Sequence, residues 1–113
     1  MHHGNGTQAI AENQADIYYC SLHQSPFYPG TGKESETGQF GNILNVPMAA
    51  GSTIEQYEVQ MREKVVPFLN ESKPDLLLVS AGFDALKVDP LAEVALQPED
   101  YRFFMSQLSL IHI

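Results

Sequence analysis

Four large aliphatic residues in a row, Leu76-Leu77-Leu78-Val79, break off into Ser80-Ala81-Gly82-Phe83-Asp84. The quartet has no polar alternation, the pattern of a strand covered on both faces, and both-face cover is the mark of a parallel sheet packed between helices. Pro74 disfavours helix immediately before it, and the three small residues after it let backbone or a ligand come close. Asp84 then falls just beyond the carboxyl end of the expected strand, the edge where open α/β sheets bind ligands. A carboxylate there is costly to desolvate unless a cation or hydrogen bonds meet it. Capping a helix or closing a turn is the competing use of the same side chain.

The flanking segments fit that frame. Ile17–Leu22 is aromatic and β-branched enough for a second strand, and Ile43–Val46 for a third that Pro47 closes. Between them, His23–Gly32 is a loop by its prolines and glycines, with Phe27 and Tyr28 as large rings on a stiffened segment. Those rings suit the wall of a narrow pocket, and equally suit packing onto the body of the protein. A short helix is predicted over roughly Thr7–Ala15, capped by Asn5 with Gln8 as its partner. Ser52 and Glu55 form a capping box for a main helix whose apolar face is Ile54, Tyr57, Met61, Val65 and Phe68; Pro67 is expected to kink or end it. Pro98, Glu99 and Asp100 open a last helix through Tyr101, Phe104 and Met105. Strands alternating with helices predict an α/β fold, a mostly parallel sheet flanked by helices.

Charge narrows the partners. With 14 acidic against 6 basic residues and a net charge of −8, the chain lacks the basic face that nucleic acid needs, and a cationic or lysine-derived ligand suits it better. The lone cysteine, Cys20, excludes an internal disulfide framework and fits a reducing compartment, so a cytoplasmic protein is expected. No apolar run is long enough to cross a bilayer, and no membrane partner is expected. At 113 residues the chain holds one domain at most.

Three clusters of chemistry-bearing residues are expected to converge at one sheet edge: His2 and His3, Ser21 to His23, and Asp84. Histidine with aspartate suits Zn²⁺ or Fe²⁺. A Ser21–His23–Asp84 triad can also be drawn, without the Gly-x-Ser-x-Gly elbow of the hydrolases that use one.

Five motifs occur in order: His-His-Gly-Asn-Gly-Thr-Gln at 2–8, Ser-Leu-His at 21–23, Phe-Tyr-Pro-Gly-Thr-Gly at 27–32, Asn-Val-Pro at 45–47 and Ser-Ala-Gly-Phe-Asp-Ala at 80–85. Together they resemble the histone deacetylase superfamily, nearest the branch of class II, acetoin-utilisation-like and acetylpolyamine deacetylases. The resemblance implies a partial arginase/deacetylase fold over residues 1–107, with 108–113 expected to be a non-native or atypical tail. It implies Zn²⁺ held by His2 and Asp84, with Asn5 orienting one histidine of a catalytic pair. Phe27 and Tyr28 would line an acyl-lysine tunnel, and Ser21 and Leu22 would hold a structural K⁺. The implied reaction is hydrolysis of acetyl-lysine or an acetylpolyamine by a longer parent.

Departures from the pattern accompany the resemblance. The family's third zinc ligand, an aspartate two residues before the first motif histidine, and its histidine pair would precede Met1; the transition-state residue would follow Ile113. Leu86 stands where histidine is common. These 113 residues alone are therefore expected to be inactive, and the contrasting expectation is a non-catalytic folding or binding module.

Overall fold

The computed structural model describes residues 1–90 and 93–111. They divide into two units, Met1–Ala50 and Gly51–Ile113.

In the first unit, helix α1 (Asn5–Ala11) leads to strands β1 (Tyr19–Gln24) and β2 (Ile43–Met48). The strands pair in parallel, Tyr19 opposite Ile43 through Gln24 opposite Met48. Ala11, Ile43, Val46 and Met48 are buried around them. β1 starts two residues later than the composition of Ile17–Leu22 predicts. Pro47 does not close β2 but lies inside it opposite His23, which an edge position permits because its missing N–H belongs to no ladder. Asn5 is the first residue of α1 rather than its cap; Gly4 takes that position without a side-chain cap bond. The helix ends at Ala11, short of the expected Ala15, because the chain turns there. Gln14 N–H bonds back to the Ala11 carbonyl (2.9 Å).

That turn is locked from afar. Asn42 is fully buried, and its Nδ2 donates to the carbonyls of Ala11 (2.8 Å), Gln14 (3.0 Å) and Ile17 (2.7 Å). One amide thereby ties together three carbonyls along the turn between α1 and β1. Asn42→Ala is expected to destabilise the protein by about 1–3 kcal/mol, since it removes the hydrogen bonds of a fully buried amide without refilling the space it occupied. Urea unfolding of the parent protein measures this, and a loss below about 0.5 kcal/mol would contradict it.

In the second unit, α2 (Ile54–Gln60), a π-helical turn (Met61–Val65) and α3 (Val66–Ser72) follow without a break. Thr53, not Ser52, caps α2: its N–H donates to Gln56 Oε1 (2.8 Å). Ser52 is instead buried, with its carbonyl taking the Ala95 N–H (3.0 Å). Tyr57, Met61, Val65 and Leu69 form the buried face. Their strict four-residue spacing exceeds the α-helical 3.6, and the wider π turn keeps them aligned. Leu69 therefore replaces the expected Phe68 on that face. Val66 N–H reaches five residues back to the Met61 carbonyl, and the widened turn admits Pro67 without ending the helix. Termination comes at Lys73, at φ 47°, with Pro74 next.

Leu76–Val79 is not a strand. Leu76 is 72%, Leu78 83% and Val79 48% exposed, and no described residue pairs with the run as a sheet neighbour. A strand's hydrogen bonds come from its neighbour, so apolar composition alone does not make one. Asp84 falls in a 3₁₀ turn (Phe83–Ala85). Backbone bonds from Leu96 N–H to the Ala85 carbonyl (3.3 Å) and from Lys87 N–H to the Leu96 carbonyl (2.9 Å) fasten this turn. Helix α4 (Asp100–Leu108) begins two residues after Pro98, where Asp100 Oδ2 accepts the Gln97 N–H (2.7 Å). The expected turn at 89–91 is described only to Pro90, and the expected tail only to Ile111, which is buried.

Candidate active site

The segment ahead of α1 and the loop after β1 meet through imidazoles. His2 Nδ1–H donates to the Tyr28 carbonyl (3.0 Å), and its ring stacks on Phe27 at 5.1 Å and meets Tyr28 edge-on at 5.9 Å. His2 is exposed, Phe27 half-buried and Tyr28 77% exposed. Three of the sequence-derived site residues thus share one surface. Asn5 lies exposed on the first turn of α1. Ser21 and Leu22 are half-buried in β1, and Ser21 Oγ–H donates to His23 Nδ1 (3.0 Å). Asp84 belongs to the second unit, half-buried.

Around Asp84 stand two phenols. Burial, then the proximity of Tyr101 and Asp84, pushes Tyr57 up to about 12. Tyr101 is also raised, first by burial and then by Asp84. Its Oη–H donates to the Gly82 carbonyl (2.8 Å), and its ring tilts against Phe83 at 5.0 Å.

His3, next to His2, enters a polar network with Gln8, Asn45 and Glu36, of which only Glu36 lies outside the motifs at 2–8 and 45–47. Gln8 Oε1 accepts from Asn45 Nδ2 (2.8 Å), and Gln8 Nε2 donates to Glu36 Oε2 (2.8 Å). The His3 nitrogen facing Gln8 Oε1, Nε2 at 2.8 Å, must therefore carry the ring proton. His3 Nδ1 is left as the acceptor for Thr31 Oγ1–H (2.8 Å). His3, Gln8 and Asn45 are all buried. The signal in the sequence was a second histidine beside the first and an asparagine amid apolar residues at 43–48.

His23, with no exposed surface, donates from Nε2 to the Gly32 carbonyl (2.9 Å) and accepts from Ser21 at Nδ1. Both ring nitrogens are engaged, and the one opposite Ser21 faces a carbonyl rather than a carboxylate. That is not the geometry of a serine-hydrolase base, which donates its far N–H to an aspartate.

Burial lowers the His23 imidazole below its ordinary value. A group lowered on folding binds fewer protons folded than unfolded, so its stabilisation is complete above the unfolded value of roughly 6.5 and is lost as pH falls through the lowered one. Glu36 has the same sign in a more acidic window. The Gln8 amide, and then the backbone around Lys33 and Gly32, hold its carboxyl below the usual range. Urea midpoints are accordingly expected to fall from pH 7 toward pH 4, and a flat or rising profile would contradict the assignment.

The donor chemistry of His2 suits a borderline metal ion, and a carbonyl orienting the ring is how metal-binding histidines are commonly held. Among the described residues, however, no three His, Cys, Asp or Glu side chains gather into a group able to hold a metal. A zinc site needs three protein ligands, and the described residues do not gather them.

Residues 1–112 match the family model for the histone deacetylase domain. Histone deacetylase 14, chloroplastic, of Arabidopsis thaliana is 41% identical over 104 residues, 89% of this chain and 25% of that protein. A histone deacetylase-like amidohydrolase of Pseudomonas aeruginosa is 41% identical over 106 residues, 90% of this chain and 28% of its own length. The crystal structure of an acetylpolyamine aminohydrolase from Burkholderia pseudomallei superposes with a TM-score of 0.88 at 32% identity, covering 99% of this chain and 35% of that one. The chain thus spans about a third or less of the relatives it matches. With an α/β architecture shared with such structures and a family match running nearly end to end, the chain belongs to the histone deacetylase domain family.

Proposed function

We propose that the parent polypeptide hydrolyses an acetylated amine, acetyl-lysine or an acetylpolyamine, in a zinc-dependent reaction. The observation that carries this reading is the juxtaposition of His2 with Phe27 and Tyr28 in a chain of this family. His2 and Asp84 are the proposed zinc ligands within these residues, with a third supplied from outside them. Zinc bound there would supply Lewis-acid polarisation of an amide carbonyl.

The chain's own residues have distinct parts in this proposal. Phe27 and Tyr28 present flat apolar faces to a methylene stem and exclude water from it. Asn5 orients a histidine of the proton-transferring pair, which lies outside this stretch, and Ser21 and Leu22 support a K⁺ ion. With the third ligand and the pair elsewhere in the parent, the 113 residues by themselves are proposed to be inactive. The net charge of −8 favours an amine-bearing substrate over nucleic acid. Among the described residues no helix is long and apolar enough to cross a membrane. The lone Cys20, its thiol pushed up to about 12 by burial, suits a reducing compartment, and the cytoplasm is the proposed one.

The test is hydrolysis of an Nε-acetyl-lysine peptide and of an N-acetylated diamine by the purified parent. Activity is expected to disappear on chelation and return with zinc. Activity that persists in excess chelator would overturn zinc dependence, and hydrolysis of neither substrate would overturn the reading as a whole.

A further inference from the structure

The Tyr28–Gly32 segment is fastened at three points by imidazole nitrogens: His2 Nδ1 on the Tyr28 carbonyl (3.0 Å), His3 Nδ1 on Thr31 Oγ1 (2.8 Å) and His23 Nε2 on the Gly32 carbonyl (2.9 Å). The contact at His3 differs from the other two. It joins a side chain to a side chain, and its ring is fixed from behind by Gln8 Oε1 at 2.8 Å, itself tied to Asn45 on β2. His3 therefore bridges the sheet and helix α1 to the middle of the aromatic loop. Thr31 stands between two glycines, Gly30 at φ 83° with its N–H on the Phe27 carbonyl (2.8 Å) and Gly32 at φ 85° with its N–H on Glu36 Oε2 (3.2 Å). Such residues have shallow conformational preferences and leave the loop's position to its anchors.

We infer that His3 is a positioning residue for the substrate wall: through Thr31 it sets where Tyr28 stands, and so governs substrate binding rather than the chemical step. This rests on the acyl-amine reading for its kinetic consequence, while the anchoring itself does not depend on activity.

Two substitutions separate the arms of the bridge. Asparagine at this position can place an oxygen where Nδ1 lies and keep Thr31 as donor; glutamine can place a nitrogen where Nε2 lies and keep Gln8 as acceptor. In the parent protein His3→Asn is expected to hold KM within about twofold of wild type. His3→Gln is expected to raise KM about fivefold or more with kcat within about twofold, the scale of one lost hydrogen bond. Thr31→Val removes the same contact from an exposed residue and is expected to match His3→Gln, which keeps the test decisive if His3→Gln folds poorly.

A second readout is independent of turnover. Exposed Lys33 follows the loop directly, and trypsin cleavage after it, followed by mass spectrometry, reports loop release. His3→Gln and Thr31→Val are expected to be cut about fivefold faster or more, and His3→Asn at nearly the wild-type rate. Equal KM and cleavage changes for His3→Asn and His3→Gln, or none for Thr31→Val, would overturn the inference. A wild-type parent that hydrolyses neither acetylated amine would sink the acyl-amine reading and the kinetic role with it, leaving cleavage to decide the anchor.

Discussion

Gly32→Ala is expected to destabilise the parent protein by about 2–5 kcal/mol and to weaken substrate binding with it, for two separable reasons. The backbone at Gly32 has φ +85°, which costs an L-residue about 1–2 kcal/mol whatever the space around it. A Cβ built there also lies 2.6 Å from His23 Nε2 and 2.6 Å from the His3 ring. Neither ring can retreat, since His23 is fully buried and His3 is bonded on both nitrogens. Overpacking of this kind adds about 1–3 kcal/mol. Gly30→Ala is the control: the same kind of backbone angle, φ +83°, with nothing within 4 Å of the new atom. Thermal or urea unfolding should give Gly30→Ala the backbone cost alone. Equal losses for the two variants would show that the packed histidines contribute nothing.

The larger effect is on turnover. His2→Ala and Asp84→Asn, each made in the parent protein, are expected to reduce kcat/KM by on the order of 10³-fold or more, about 4 kcal/mol of transition-state stabilisation. Folding should be little disturbed. His2 is exposed, and Asp84 lies in a short 3₁₀ turn that Leu96, Lys87 and Tyr101 fasten through backbone groups at 82, 85 and 96. The assay is steady-state hydrolysis of the two acetylated amines, with circular dichroism to show that the fold survives. Loss of only a few-fold in either variant would be inconsistent with a ligand role for that residue.

What could be read from the chain before its structure divides along physical lines. Local patterns were legible: the β-branched and aromatic run at 17–22, the start of the strand at Ile43 though not its run through Pro47, the apolar face from Tyr57 to Val65, and the short motifs that carry the family resemblance. Each depends on residues within a turn or two of one another. Polar links between distant segments were not. His3, Gln8, Glu36 and Asn45 meet because β1 and β2 pair in parallel and bring position 45 beneath α1. Asn42 reads as loop and proves to be a latch on Ala11, Gln14 and Ile17.

The misreadings have the same origin. Leu76–Val79 has the composition of a buried strand, but a strand needs a neighbour, and none of the described residues supplies one. The capping box was placed one residue early because Ser52-x-x-Glu55 and Thr53-x-x-Gln56 are both plausible on sequence; packing of Ser52 against Ala95 decides between them. Pro67 is expected to kink or end the helix, and with a π turn before it the helix runs on to Ser72.

At the candidate site the motifs name the residues, and the structure adds the hydrogen-bond partners of the two imidazoles. His2 and His3 are adjacent and have different work. One is an exposed ring oriented by a carbonyl; the other is a buried bridge with a defined donor and acceptor side. The family resemblance gives a role to the first of the pair only; the bridging contacts of the second depend on the loop at 27–32 and on β2.

The central proposal is that His2 and Asp84 serve one metal ion in the parent protein. Zinc bound per chain, measured by mass spectrometry of the purified parent and its variants after dialysis, tests it most directly. About one zinc per wild-type chain is expected, with most of it lost in His2→Ala and in Asp84→Asn and retained in His3→Asn. Full zinc occupancy in both His2→Ala and Asp84→Asn would contradict the account.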